Sequence, residues 1–163
     1  MMQGAVKVTA VGEREVLMTR VFDAPRALVF TALTDPALVQ RWLLGPPGWA
    51  MVVCRIDLRV GGSFRYEWKH QDGRTLGMSG VYREIQPPEK TVHLESMDGF
   101  PGESLVTGTL HEEGGKTTVT TTVVFASRAS RDTMLQSGME RGVAASYQRL
   151  DDVLASMKST PGA

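Results

Sequence analysis

Residues 55–68, RIDLRVGGSFRYEW, constrain the fold of this chain more than any other stretch. The segment predicts two strands that meet at a bend, because the glycine pair at 61–62 interrupts an otherwise strand-like pattern. In the second strand Phe64, Tyr66 and Trp68 fall on one face, since successive side chains of a strand point to opposite faces. A bent sheet with an aromatic row predicts a concave surface and hence a candidate binding site.

Length and composition predict one soluble domain over residues 1–163, with its core at about 14–157. Lysine plus arginine and aspartate plus glutamate both number 18, and no basic cluster occurs, which disfavours nucleic acid and anionic membranes as partners. No apolar run approaches the ~20 residues of a membrane span, and no signal peptide is visible. Cys54 is the only cysteine, which excludes an intramolecular disulfide and fits a cytoplasmic location.

The order of predicted elements is strand, two short helices, six strands and a long helix. Residues 1–12 are expected to form a loose lead-in, the first strand covers 14–22, and the two short helices end near Trp42. The six later strands are separated by short turns and cover 51–58, 62–70, 76–86, 90–97, 103–112 and 116–125. Apolar residues at three- and four-residue steps predict one helix over 128–157, which must bury its apolar stripe. We therefore expect an α+β fold, with a curved antiparallel sheet of about seven strands wrapped around the last helix.

Four stretches resemble the AHSA-type group of the START-like, helix-grip superfamily (SRPBCC), a group named for activators of a heat-shock-protein ATPase. They read VFDAPRALVFTALTDPALVQRW, DLRVGGSFRYEW, SGVYREIQPPEKTVHLE and GMERGVAASYQRLDDVL. The resemblance spans residues 14 to about 157 and implies a helix-grip fold whose cavity, between sheet and last helix, binds hydrophobic small molecules. It implies no shared catalytic constellation. The chain departs from the group at Leu43 and Val143, where relatives often have tryptophan.

The candidate cavity wall combines aromatic, apolar and small polar side chains, which is typical of small-molecule sites. It comprises Trp42, Trp49, Phe64, Tyr66, Trp68, Met78, Tyr82, Thr107, Thr121, Met139 and Val143. The same rows also fit a plain core packed against the last helix. Trp42 and Trp49 fit either an entrance to the cavity or a staple that holds the short helices to the sheet.

No metal or cofactor site is predicted. The three histidines lack neighbours in a metal-ligand spacing, and no phosphate-binding glycine motif occurs. His93 and Glu95 share one face of a strand, and we interpret that face as solvent-exposed because Val92 and Leu94 occupy the other.

Catalytic residues are not identified by the sequence. No nucleophile motif is present, and Glu67 and Tyr82 are the only candidates we single out for acid–base chemistry, with Glu67 opposite the aromatic row. Asp57 and Arg59 fit either anchors for a ligand headgroup or an ion pair that fixes the glycine bend, and we favour the ion pair.

The sequence therefore predicts a small cytoplasmic protein that binds an apolar or amphipathic molecule and needs no cofactor. A cyclase- or hydrolase-type enzyme using the same cavity and a chaperone-associated interaction domain are the two alternatives. Exposed edge strands also favour a homodimer.

Overall fold

The computed structural model describes residues 5–159, within which eight strands and four helices occur. In chain order the strands are β1 (Lys7–Val11), β2 (Glu15–Phe22), β3 (Trp49–Ile56), β4 (Ser63–His70), β5 (Thr75–Gln86), β6 (Lys90–Met97), β7 (Ser104–Glu113) and β8 (Lys116–Val124). The helices are α1 (Arg26–Thr34), α2 (Pro36–Trp42), α3 (Arg128–Gln136) and α4 (Met139–Lys158).

The strands form one antiparallel sheet in the spatial order β1-β2-β8-β7-β6-β5-β4-β3. The short helices follow β2, and α4 packs across the face of the sheet that we call the inner face. This confirms the predicted α+β arrangement of an antiparallel sheet with a C-terminal helix. Within residues 5–159 we find no helix with the length and apolarity that a membrane span requires.

The start of the chain contains a strand where the sequence suggested a loose lead-in. Residues 7–11 pair with β2 from Lys7 opposite Thr19 to Val11 opposite Glu15. Val8 thereby packs on the cluster that contains Val16, so burial and backbone pairing together order this segment. The sheet has eight strands for this reason, one more than predicted.

The long C-terminal helix is broken into two pieces, which the sequence pattern did not predict. α3 ends at Gln136 and α4 begins at Met139, with Gly138 between them at φ 89°. A helix cannot pass through a residue with that backbone conformation, and glycine adopts it without a Cβ penalty.

α4 is fastened to the sheet by a polar clamp as well as by apolar packing. Both terminal nitrogens of Arg20 on β2 donate to the Asp151 carboxylate at 2.7 Å, and Arg20 is only 6% exposed. The Phe22 ring meets the Tyr147 ring edge-on, with centroids 5.1 Å apart. The Arg20–Asp151 ion pair and the Phe22–Tyr147 contact together fix the height and rotation of α4 over the sheet.

The glycine pair at 61–62 forms the turn between β3 and β4 and is held by β5. The Gly61 amide donates to the Tyr82 carbonyl, and the Tyr82 amide donates to the Gly62 carbonyl, both at 2.9 Å. Asp57 and Arg59 pair with each other at 2.9 Å and remain exposed to solvent. This position at the surface supports the ion-pair interpretation over a ligand anchor.

Candidate functional site

The inner face carries the predicted aromatic row, Phe64, Tyr66 and Trp68 of β4, in a tightly packed state. The three side chains are 3%, 8% and 8% exposed. Phe64 lies 5.0 Å from Tyr66 and 5.5 Å from Tyr82 between ring centroids. The row therefore forms one continuous aromatic surface across β4 and β5.

Gly80 on β5 is what allows the Phe64 ring to lie flat across the neighbouring strand. A Cβ at residue 80 would overlap the Phe64 ring and would stand 2.6 Å from the Leu94 carbonyl oxygen. No other residue type fits there without displacing backbone, so Gly80 is a requirement of the aromatic surface.

Apolar side chains on the inner face gather into three clusters rather than one core. The first lies under α1, α2 and α4 around Phe22 and Leu150. The second lies under α3 and the start of α4 around Val16 and Val123. The third is the aromatic row with Tyr82, packed against Val39 of α2.

β6 runs between the second and third clusters and is not covered by either. It lies between β5 and β7 inside the sheet, yet all of its residues are only half-buried. Its inner-face residues are Thr91, His93, Glu95 and Met97, and Met97 belongs to none of the three clusters. An inner strand under a filled core would have one buried face, so this part of the inner face is accessible.

We call this region, bounded by His93, Glu95 and Met97, the inner cleft. On one side β5 borders it, with Tyr82 opposite His93 and Met78 opposite Met97. On the other side it is bordered by the second cluster, which includes the half-buried Met139 and Val143 of α4. Apolar walls with a polar strip between them have the composition that is general for small-molecule sites.

His93 and Glu95 form a polar pair inside the cleft. His93 Nε2 lies 2.7 Å from Glu95 Oε1, and the two side chains are 18% and 25% exposed. The imidazole meets Phe64 edge-on at 5.0 Å and Tyr82 at 6.1 Å between centroids. The expectation that these two residues face solvent on the outside of the sheet is therefore wrong.

A β-bulge at Arg83 explains this orientation. Tyr82 pairs with His93 while Glu84 pairs with Val92, so Arg83 is an extra residue in β5. A bulge of one residue exchanges the two faces of the partner strand. It brings His93 and Glu95 to the inner face and sends Val92 and Leu94 outward.

The same bulge corrects the placement of Thr107. Val92 pairs with Thr107 and His93 with Val106, so Thr107 shares the outer face with Val92. Thr107 is thus not part of the cavity wall, and Val106 takes that position.

Tyr66 and Tyr82 present neutral hydroxyl groups on the inner face. Burial raises the pKa of Tyr82 to about 12, with a further contribution from Cys54. Burial also raises the pKa of Tyr66, assisted by the nearby Tyr82, Cys54 and Glu95. Both side chains are therefore hydrogen-bond donors over the whole neutral range.

Three polar atoms on the inner face have no protein partner. Within residues 5–159 the hydroxyls of Tyr66 and Tyr82 and Nδ1 of His93 make no hydrogen bond. In the same range, every side-chain N or O atom that is shielded from solvent does have a hydrogen-bond partner. The three atoms must therefore be accessible to solvent. Two of them belong to side chains that are more than nine-tenths buried, so their free hydroxyls are available to a ligand.

Two predicted tryptophans have structural roles. The Trp42 indole N–H donates to the Ala32 carbonyl at 2.9 Å, inside the first cluster. The Trp68 indole N–H donates to the Leu43 carbonyl at 2.7 Å and ties β4 to the end of α2. Trp42 therefore staples the helices and does not reach the inner cleft.

Trp49 lies at the far end of β3, away from His93. Its ring is 5.0 Å from His70, and the Arg74 guanidinium lies 5.3 Å over it. The Trp49 side chain is half-buried. Its role at an entrance to the cavity stays a prediction.

Tyr147 is a side chain between α4 and the sheet that the sequence interpretation did not name, and it packs against Phe22 and Trp42 in the first cluster, outside the inner cleft. It stands on α4, and its hydroxyl bonds to Thr121 of β8, which opposes the increase in pKa that burial causes. Four-residue steps from Met139 through Val143 lead to Tyr147, and that spacing was a signal for it. Thr121 is half-buried on the inner face, and its place in a cavity wall stays a prediction.

Two open depressions lie on the outer side of the sheet. One of about 180 Å³ is lined by Arg65, Glu67 and Asp98 among others, and one of about 360 Å³ includes Asp57 and Ser63. Charged rims and a wide opening do not suit an apolar ligand, so the inner cleft is the better candidate. Among the described residues, no group of three or more His, Cys, Asp or Glu is placed to hold a metal ion.

Comparison with known proteins agrees with this architecture. The family model of the Activator of Hsp90 ATPase homolog 1-like protein matches residues 23–155. A crystal structure of a protein from Rhodobacter sphaeroides is similar over 94% of this chain and 99% of its own, with 31% identity and a TM-score of 0.89.

More distant structures share the fold. A protein from Nitrosomonas europaea is similar over 93% of this chain and 100% of its own, with 21% identity and a TM-score of 0.82. The AHSA1-like protein from Aeromonas hydrophila is similar over 90% and 99%, with 20% identity and a TM-score of 0.70. A search of curated protein sequences found no significant match.

Proposed function

Because the chain belongs to the family of Activator of Hsp90 ATPase homolog 1-like proteins, a START-like (SRPBCC) family, we propose that it binds a small, largely apolar molecule. The binding site is the inner cleft between β6 and α4. The observation that carries the proposal is the accessibility of β6, an inner strand without a buried face. Apolar surface left open beside polar groups is stabilised when a ligand removes it from water.

The walls of the cleft suit apolar ligands of more than one shape. Met78, Met97 and Met139 border it, and unbranched methionine side chains adapt to different apolar surfaces. The aromatic row supplies a rigid wall on the β4 side. A rigid wall opposite an adaptable one fits a flat or compact apolar molecule.

The test is the binding of an uncharged fluorescent dye, N-phenyl-1-naphthylamine, to the purified protein. We expect saturable fluorescence enhancement, and we expect Met78→Trp to weaken dye binding by about tenfold or more, which corresponds to ~1.4 kcal/mol. The matched control is Val81→Trp on the same strand, because Val81 is on the outer face and 41% exposed.

Cooperative thermal unfolding of both variants establishes that they are folded. Dye binding equal to wild type in both tryptophan variants would contradict the proposed location. Gly80 is unsuitable as a test position, since a side chain there displaces Phe64.

Turnover in the same cleft is a second candidate, of cyclase or hydrolase type. The His93–Glu95 pair favours it, because an imidazole held by a carboxylate is a common unit for proton transfer. Screening aryl esters and enolisable ketones tests it. Turnover that His93→Gln abolishes without lowering the melting temperature would support catalysis. If the wild-type protein turns over none of these compounds, ligand binding without catalysis is the remaining function.

We also propose that the chain is one cytoplasmic domain. Cys54 is the only cysteine of the sequence, and burial raises the pKa of its thiol, with a further contribution from Asp35, which disfavours the reactive thiolate. The homodimer stays a prediction that rests on the edge strands β1 and β3. Native mass spectrometry reports the dimer mass and any co-purifying ligand together.

A further inference from the structure

We propose that the ligand of the inner cleft is a neutral aromatic alcohol, whose hydroxyl group is bound by His93, Tyr66 and Tyr82. This inference names the chemical class of the ligand and rests on the proposed function. It follows from three properties of the cleft: its free hydrogen-bonding atoms, its charge and the shape of its wall.

The free atoms match the two roles of a hydroxyl group. Glu95 Oε1 lies 2.7 Å from His93 Nε2, so that nitrogen carries a proton, and in the neutral imidazole Nδ1 is left as an acceptor. The hydroxyls of Tyr66 and Tyr82 are free donors on the adjacent strands. A ligand hydroxyl donates to His93 Nδ1 and accepts from a tyrosine, whereas an ether oxygen only accepts and a hydrocarbon does neither.

The charge of the cleft favours a neutral ligand over an acid. His93 and Glu95 are the only basic and acidic side chains on the inner face of β5 and β6, as the strand register places them. With either protonation state of His93 the pair has no net positive charge. A carboxylate ligand would meet Glu95 without a compensating cation, and burying it there is unfavourable.

The wall of the cleft favours a flat ring. Phe64, Tyr66 and Tyr82 have neighbouring ring centroids 5.0 and 5.5 Å apart. Aromatic surfaces at these separations bind further rings in offset or edge-on contact. Two of the free hydroxyls belong to Tyr66 and Tyr82 of this same wall, so a ring that packs against the wall lies next to them.

The experiment measures displacement of N-phenyl-1-naphthylamine by four compounds of one shape: 2-naphthol, 2-methoxynaphthalene, naphthalene and 2-naphthoate. We expect 2-naphthol to bind about tenfold or more tightly than its methyl ether, because the ether cannot donate a hydrogen bond to His93 Nδ1 and leaves that acceptor unpaired. We expect 2-naphthoate to bind most weakly. Tyr82→Phe and Tyr66→Phe should each weaken 2-naphthol by about 3- to 10-fold and leave naphthalene within about twofold.

Tyr147→Phe is the matched control, since the Tyr147 hydroxyl is already bonded to Thr121. We expect this variant to keep the wild-type ratio between the affinities for 2-naphthol and naphthalene. His93→Phe keeps an aromatic ring against Phe64 and should abolish the preference for 2-naphthol over its ether. Equal binding of naphthalene and 2-naphthol, unchanged in these variants, overturns this inference and leaves the proposed function standing. Failure of the dye and of all four compounds to bind wild type overturns both.

Discussion

The three tyrosines of the chain, Tyr66, Tyr82 and Tyr147, are all kept neutral by burial. Burial raises the pKa of Tyr82 to about 12, and it raises the pKa values of Tyr66 and Tyr147 as well. An unfolded tyrosine has a pKa of about 10. Because the folded pKa values are the higher ones, the neutral hydroxyls contribute stability that is complete below about pH 10 and is lost as the pH rises through the folded values.

We therefore predict that the free energy of unfolding falls as the pH is raised from about 10 to about 12. Up to about pH 11 the folded protein should show little tyrosinate absorbance, and most of that absorbance should appear as the far-ultraviolet circular dichroism is lost. Tyr82→Phe should make the fall in stability shallower, because one proton fewer is released on unfolding. A reversible ionisation near pH ~10 with unchanged circular dichroism would contradict this account of the site.

The break between α3 and α4 sets where α4 begins over the inner cleft. Gly138 provides the break at φ 89°, and Met139 and Val143 follow in the first turns of α4. Gly142 lies within the same helix, where a Cβ would stand 3.8 Å from Pro46 Cδ in ordinary contact. The two glycines therefore differ in backbone conformation and not in available space, since nothing lies within 4 Å of a Cβ at residue 138.

We predict opposite effects for the same substitution at these two positions. Gly138→Ala should lower the free energy of unfolding by about 1 kcal/mol, since alanine is strained at positive φ. Gly142→Ala should raise it by about 0.5–1 kcal/mol, because alanine has the higher helix propensity. Urea unfolding measures both. A neutral Gly138→Ala, or an equal loss in both variants, would show that the helix break does not depend on Gly138.

The bulge in β5 determines which side chains of β6 face the cleft, and the sequence pattern does not reveal this bulge. Without Arg83 as an extra residue, Tyr82 would stand opposite Leu94, and Val92 and Leu94 would face inward as we expected. The alternation along 90–97 fits either face, because the outer face also carries an apolar row, in which Val81 pairs with Leu94 and Leu94 with Leu105. Aromatic positions of β4 were predictable from one strand alone, whereas His93 and Thr107 needed the register between strands.

At the level of the whole molecule, the amphipathic C-terminal segment and the run of strands were sufficient to predict an antiparallel sheet under a last helix. The sequence did not predict β1, because Lys7–Val11 has no strong apolar pattern and is ordered by its pairing with β2. The aromatic row predicted a binding surface and the family resemblance predicted a cavity, whereas nothing in the sequence predicted the particular inner cleft that we propose. Its position depends on the gap between the second and third apolar clusters, and no local sequence pattern encodes that gap.

The central claim is that a small apolar molecule lies in the inner cleft, and nuclear Overhauser effects from a bound ligand to methyl groups test it most directly. The protein is labelled with ¹³C at its Met, Leu and Val methyl groups and saturated with N-phenyl-1-naphthylamine. We predict contacts from the dye to the methyl groups of Met78 and Met97, and none to Val81 or Leu105 on the outer face. Contacts to Val81 and Leu105 with none to Met78 and Met97 would contradict the account.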